Sequence, residues 1–166
     1  MRAIFNLIAV VLALVSVLWA GPALNAEDGT VTGTITLDIE GRLVPGNWIR
    51  LLLVTDKVDM PEIDTSLKHT QPAYFDVIST LHSGFYIRVQ NRLTEKNFLY
   101  ASTLSTDEGT FKFPAVAPGG YYVIVTFPGM IHGYKVAWQI PARVVSGKTT
   151  HIVLNGANLA LPTAKR

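Results

Sequence analysis

The chain of 166 residues has no cysteine. That excludes disulfides, zinc–thiolate centres, thiol catalysis and a lipid anchor on an N-terminal cysteine. Charge is scarce and nearly cancels, with 14 Lys and Arg against 12 Asp and Glu. Such a balance gives no electrostatic footprint for nucleic acid or for an anionic membrane surface. There is no G-x-S-x-G elbow, P-loop or dinucleotide fingerprint. His69, His82, His132 and His151 are too far apart for a local metal pair such as H-x-H or H-E-x-x-H. Internal repeats, low-complexity tracts and N-x-S/T sequons are also missing.

The long apolar run that does exist sits at the start. Arg2 is the only charge before Glu27, and Leu7 to Trp19 is aliphatic apart from Ser16. Gly21-Pro22 breaks any helix, and small residues follow at Ala23 and Ala26. A basic start, an apolar stretch and a small-residue exit make a secretory signal peptide over residues 1–26. Cleavage is expected after Ala26, with Ala20 as the second candidate, and sends residues 27–166 to the periplasm or the exterior. The alternative is a retained anchor over residues 3–20, which Asn6 and the early Gly-Pro oppose. Cleavage leaves 13 basic against 12 acidic residues and no segment expected to insert into a membrane. A remainder of about 140 residues without disulfides must depend on its own core, which at that size buries roughly two-thirds of the unfolded surface. A single domain is expected. Lacking both disulfides and sequons, the chain fits a bacterial exported protein.

Val31, Ile35, Leu37 and Ile39 alternate with threonines and Asp38, the pattern of a half-buried strand ending at Gly41. Pro45-Gly46 is read as the turn into a second strand over residues 47–55. That strand is apolar on both faces, with Ile49, Leu51 and Leu53 on one and Trp48, Leu52 and Val54 around Arg50 on the other. It therefore needs cover on both sides. Beyond a polar stretch, Thr70 can cap and Pro72 can open a helix. Tyr74, Val77, Ile78, Leu81, Phe85, Val89 and Leu93 repeat at helical spacing. His82-Ser83-Gly84 could stop that helix, but the apolar phase runs through Gly84. The spacing predicts one long helix, an insertion at about 56–97 lying across the outer face of the second strand.

Residues 98–106 return to strand. Asp107-Glu108-Gly109 reads as a hairpin loop, with Phe111 and Phe113 inward beyond it. Ala117-Pro118-Gly119-Gly120 reads as a type II turn before the period-2 run Tyr121, Val123, Val125, Phe127. Residues 135–140 and 142–145, divided by Pro141, suggest a broken edge strand. Residues 149–154 form a last strand, and the tail packs through Leu159 and Leu161 only. The fold class expected is mainly β: an antiparallel β-sandwich of about seven strands with one helical insertion.

Certain residues carry a resemblance. Thr106-Asp107-x-Gly109-x-Phe111-x-Phe113-x-x-Val116-x-Pro118-Gly119-x-Tyr121-x-Val123-x-Val125, with Gly33, Pro45, Ile49, Leu51 and Leu53 before it and Val144-x-x-Gly147-x-Thr149-x-x-Ile152-x-Leu154 after it, resembles the carboxypeptidase regulatory-like family. Those domains are similar to transthyretin and to starch-binding-domain-like sandwiches. The resemblance covers most of residues 29–155 outside the insert. It implies a non-catalytic accessory module, often extracytoplasmic, with carbohydrate or protein binding inferred for many members.

Candidate chemistry is sparse. Asp56, Asp59, Glu62 and Asp64 could hold calcium but lack the ligand spacing of a known loop. Arg88, Arg92 and Lys96 could meet an anionic partner, or simply form a solvated helix face. Tyr121, Tyr122, His132 and His151 do not match the spacing of the two-Tyr, two-His iron set of dioxygenases on this kind of sandwich. Trp48, Tyr122, Tyr134 and Trp138 fall out of phase with the core or beside the Gly-flanked loop at 128–133, and His132 lies within that loop. These five are the candidate ligand-binding residues, since exposed rings can stack on sugars or anchor a partner. Alternatively, the insert or a second chain covers them. The expectation is an exported non-catalytic binding module, carbohydrate-binding by preference, with no enzyme activity, cofactor or metal. The alternative is a structural or partner-binding subunit of a cell-envelope or secretion assembly.

Overall fold

The computed structural model describes residues 27–62 and 73–165. The expected signal peptide, Asp64, His69, Thr70 and Pro72 lie outside them. Strand β1 (Gly29–Ile39) alternates as its sequence dictates, with Val31, Ile35 and Leu37 buried and the intervening threonines half-buried. Its reversal is at Glu40-Gly41, where φ is 54° and 78°. Two successive left-handed residues make a two-residue type I′ loop. The chain returns as β2 (Arg42–Pro45), in register Ile39 to Arg42. Pro45-Gly46 therefore leaves β2 instead of making the first turn, which corrects the sequence reading. β3 (Arg50–Val54) follows.

After the helix come β4 (Leu99–Leu104), β5 (Thr110–Val116) and β6 (Gly119–Val125). β7 (Met130–Ile131) and β8 (Tyr134–Lys135) make a small hairpin, followed by β9 (Trp138–Val144) and β10 (Thr149–Leu154). One sheet runs β10-β1-β2 with β5 also on β1, and the other runs β4-β3-β6-β9. The ladders are antiparallel except for β1 with β10, which is parallel from Thr30–Thr149 to Ile35–Leu154. This is the β-sandwich with one helical insertion, built from more and shorter strands than expected.

Two expected local turns instead carry the chain between sheets. The Asp107-Glu108-Gly109 turn closes on itself, Thr106 N–H donating to the Thr110 carbonyl at 2.8 Å. Yet β4 pairs with β3 and β5 with β1. At the next crossing the left-handed residue is Ala115 (φ 51°), and Gly119 lacks the positive φ that a type II turn requires. β9 is continuous through Pro141. A proline is tolerated there because β9 lies at an edge of its sheet.

Between the sheets, Ile35, Leu51, Leu53, Phe113, Val123, Trp138 and Leu154 form the main core. A second core lies on the far side of the β4-β3-β6-β9 sheet. Helix α1 (Tyr74–Arg92) lays Ile78, Leu81, Phe85 and Val89 on Leu52, Val54 and Ile124. Ala73, not Thr70, occupies its N-terminal capping position. The helix runs through Gly84 because burying Leu81, Phe85 and Val89 outweighs the roughly 1 kcal/mol that a mid-helix glycine costs. No helix among the described residues is long and apolar enough to cross a membrane.

The helix is also tied to the connector before it. Arg92 donates to Asp56 at 3.2 Å, to Glu95 at 2.8 Å and to the Lys57 carbonyl at 3.2 Å, with its guanidinium 4.6 Å from the Phe98 ring centroid. Arg88 donates to the Asp59 carbonyl at 3.2 Å. Gln139 grips the same connector, accepting from Val58 N–H at 2.7 Å and donating to its carbonyl at 2.9 Å. Leu81→Ala is expected to cost about 2 kcal/mol, the low end for a leucine near the rim of a core. Far-UV and near-UV signals should melt together, and a helix signal lost first would show a detachable appendage.

The tail does more than the sequence suggested. Besides Leu161, it buries Ala164, and the Lys135 N–H donates to the Ala164 carbonyl at 3.2 Å. The Pro162 carbonyl accepts from Nε2 of buried His82 at 2.9 Å. Burial pushes the His82 imidazole below its ordinary value of 6.5, the Pro162 carbonyl opposes that, and the Lys135 charge adds to it. The unfolded chain therefore takes up this proton first as pH falls. Stability is fully present above pH 6.5 and declines below it toward the depressed folded-state value. Urea midpoints should fall over that interval in the wild type and stay flatter in His82→Gln.

Candidate functional site

The site grows from the loop between β2 and β3. Both of its ends are clamped by Ser105, a buried polar residue. The Ser105 hydroxyl donates to the Gly46 carbonyl at 2.6 Å and accepts from the Ile49 N–H at 2.8 Å. The Ser105 N–H donates to the Ile49 carbonyl at 2.9 Å. Gly46 has no room for a side chain, since a Cβ would stand 2.6 Å from Ile35 Cγ2. With its ends fixed, the loop pushes Trp48 outward.

Trp48 has φ 56° and is 64% exposed. A bulky residue in the left-handed region is a genuine outlier. Its indole Nε1–H donates to Asp107 Oδ1 at 2.7 Å, so the crossing turn between the sheets fixes the ring's orientation. Two distant loops thus hold one exposed aromatic plane.

Beside Trp48 opens a cleft of about 290 Å³. Leu52 and Ile124 of the helix-facing sheet form its floor, and Arg50 stands at the start of the same strand face. One wall is Tyr86 and Gln90 of α1, which with His82 form an i, i+4 row beside the buried stripe. The opposite wall is the segment from Thr126 to Met130. Tyr86 meets Phe127 edge-on, with centroids 5.7 Å apart, and Lys135 Nζ lies 5.0 Å from the Phe127 centroid. Thr126 Oγ1 is buried, without a hydrogen-bond partner among the described residues. The arrangement offers aromatic faces, amides and a guanidinium, a set suited to holding a polar ligand that has apolar faces of its own.

The five residues singled out from the sequence do not converge. Trp48 reaches the cleft. Tyr122 is half-buried along a separate shallow groove of about 680 Å³ with Pro141 and Arg143. His132 is exposed at the tip of the β7–β8 hairpin with φ 49°, and Tyr134 is half-buried with Lys165 Nζ 5.4 Å from its ring. Trp138 is a correction: it is 0% exposed in the inter-sheet core, and its Nε1–H donates to the Asn155 carbonyl at 3.0 Å. It has no surface to present to a ligand.

The sequence reading missed Tyr86, Gln90, Thr126 and Met130 as wall residues, left Arg50 within a strand face, and counted Phe127 as core. The visible signal was the His82–Tyr86–Gln90 spacing. Elsewhere, Asp56 pairs with Arg92, whose guanidinium, together with the Lys57 N–H, holds its carboxyl below the usual range. Among the described residues no group of three or more His, Asp or Glu is placed to hold a metal ion.

No family model matches the chain, and no curated protein matches it. Among solved structures, the chain is similar to a protein of Pseudomonas aeruginosa provisionally described as carbohydrate binding, at 12% identity and a TM-score of 0.47, covering 81% of this chain and 92% of that one. It is also similar to the minor pilin of Streptococcus agalactiae, at 10% identity and a TM-score of 0.47. That match covers 84% of this chain and 48% of the pilin.

Proposed function

We propose that this chain is an exported, non-catalytic binding module that seats a saccharide in the cleft beside Trp48. The observation that carries the reading is the Trp48 ring, exposed, held by Asp107 and kept in a left-handed backbone state. A sugar ring has an apolar C–H face and a rim of hydroxyls. The first stacks on an indole, and the second finds Asn47 and Gln90 amides in the cleft. Clamping the loop beforehand removes part of the ordering cost of binding. Strain held at one exposed ring points toward function at that ring.

The same reading takes residues 27–166 as one carboxypeptidase regulatory-like domain, released to the periplasm or exterior after a signal peptide ending near Ala26. The run from Thr106 to Val125, with its sheet-crossing turns and inward Phe111, Phe113 and Tyr121, supports it. The test is calorimetric titration with a glycan panel, together with protection of Trp48 emission from acrylamide. Buried Trp138 should be insensitive to both ligand and quencher.

A partner-binding role in an envelope assembly is favoured by one feature. Edge strand β4 contains no proline and exposes Leu99 and Leu104, whereas β9 and β5 carry Pro141 and Pro114. A bare edge of this kind accepts another strand. Arginine substitution of both leucines would then abolish co-purification of an envelope protein without changing glycan binding.

A further inference from the structure

We propose that the saccharide seated at Trp48 is acidic and that Arg50 receives its carboxylate. This rests on the saccharide reading above and names the ligand class. Arg50 shares a strand face with Leu52 and Val54, so its side chain stands on the outer side of the sheet, beside the helix. Among the described residues it is the only charged one lining the cleft. Its guanidinium has no hydrogen bond or ion pair among the described residues, whereas Arg88 and Arg92 of the facing helix are both engaged by the 56–59 connector.

The surroundings favour an anion. Lys135, stacked on Phe127, puts a second positive charge behind one wall. Asp107, the carboxylate that touches Trp48, already accepts the indole N–H. A guanidinium presents paired N–H groups in a plane that fits a carboxylate's two oxygens, and such charge-assisted pairs are stronger than neutral ones. A uronate stacked on Trp48 would present C–H groups to the indole, a carboxylate to Arg50 and hydroxyls to Asn47 and Gln90. A neutral sugar would leave the guanidinium unmatched.

The experiment compares oligomers of galacturonate, glucuronate and mannuronate with their carboxyl-reduced counterparts by calorimetry, on wild type, Arg50→Gln and Trp48→Ala. The expected result is about tenfold or greater preference for at least one acid at low salt. Added salt should shrink it, and Arg50→Gln should erase it while keeping the wild-type melting temperature. Equal binding of acid and reduced forms, with Trp48→Ala removing both, would overturn the acidic class and leave the saccharide reading standing. An acid preference untouched by Arg50→Gln would overturn the role given to Arg50. Failure of every glycan, acidic or neutral, would sink both readings together.

Discussion

Replacing Trp138 with alanine is expected to lower the unfolding free energy by about 3–5 kcal/mol, the range for deleting a large aromatic from a packed core. The ring is wholly enclosed among the residues of the inter-sheet core. Its loss removes burial and leaves a cavity that two hydrogen-bonded sheets can close only in part. It also removes the shorter of two hydrogen bonds to the Asn155 carbonyl, which the indole N–H meets at 3.0 Å and the Asn158 N–H at 3.3 Å, just where β10 ends and the tail turns through Gly156–Asn158. Trp138→Phe separates the two contributions. It restores most of the volume and leaves the carbonyl with the Asn158 N–H alone, for about 0.5–1.5 kcal/mol. Urea unfolding with an unchanged slope would read both. A midpoint shift worth less than about 1 kcal/mol for the alanine variant would show that the indole is not the wedge its burial implies.

Trp138 also shows where sequence reasoning reached its limit. Trp138, Ile140, Ala142 and Val144 share parity, and read as one strand they would place the indole inward. Pro141 suggests a break, and a break there hides the shared parity. In the structure β9 runs through, registered Val125 to Trp138 and Gly119 to Val144. The long alternating runs of β1 and β6 and the helical stripe were legible because each buries one face over many residues. β2, β7 and β8 were not, being two to four residues long without a buried alternation. Which sheet a turn leads to was illegible for a different reason. The Asp107–Gly109 turn has the same local chemistry whether its strands pair with each other or separate, and only long-range pairings such as Gly33 with Phe111 and Leu52 with Ser102 decide it. The cleft has the same non-local origin. It gathers residues 47–52, 86–90 and 124–130, three stretches that no periodicity links. Trp48 stood out as an off-phase aromatic beside a Pro-Gly pair, and Arg50 gave no signal until its lack of a partner could be seen.

Trp48→Ala is expected to weaken saccharide binding by about 2–4 kcal/mol, some thirtyfold to a thousandfold, as for a central aromatic anchor. Its effect on stability should stay within about 1 kcal/mol, because the ring is mostly in water and the Ser105 clamp does not involve its side chain. Trp48→Gly sharpens the argument. With φ at 56°, any side chain at this position is held against its backbone preference, by roughly 1–2 kcal/mol relative to glycine. The glycine variant should therefore match or exceed the wild type in melting temperature while binding no better than the alanine variant. Asp107→Ala should fall between the wild type and the Trp48 variants in affinity, leaving the ring present but free to turn and weakening binding several-fold. Stability rising as affinity falls is the mark of strain retained for a ligand. Wild-type affinity in the glycine variant would instead make Trp48 an ordinary loop residue and remove the basis for a site at this cleft.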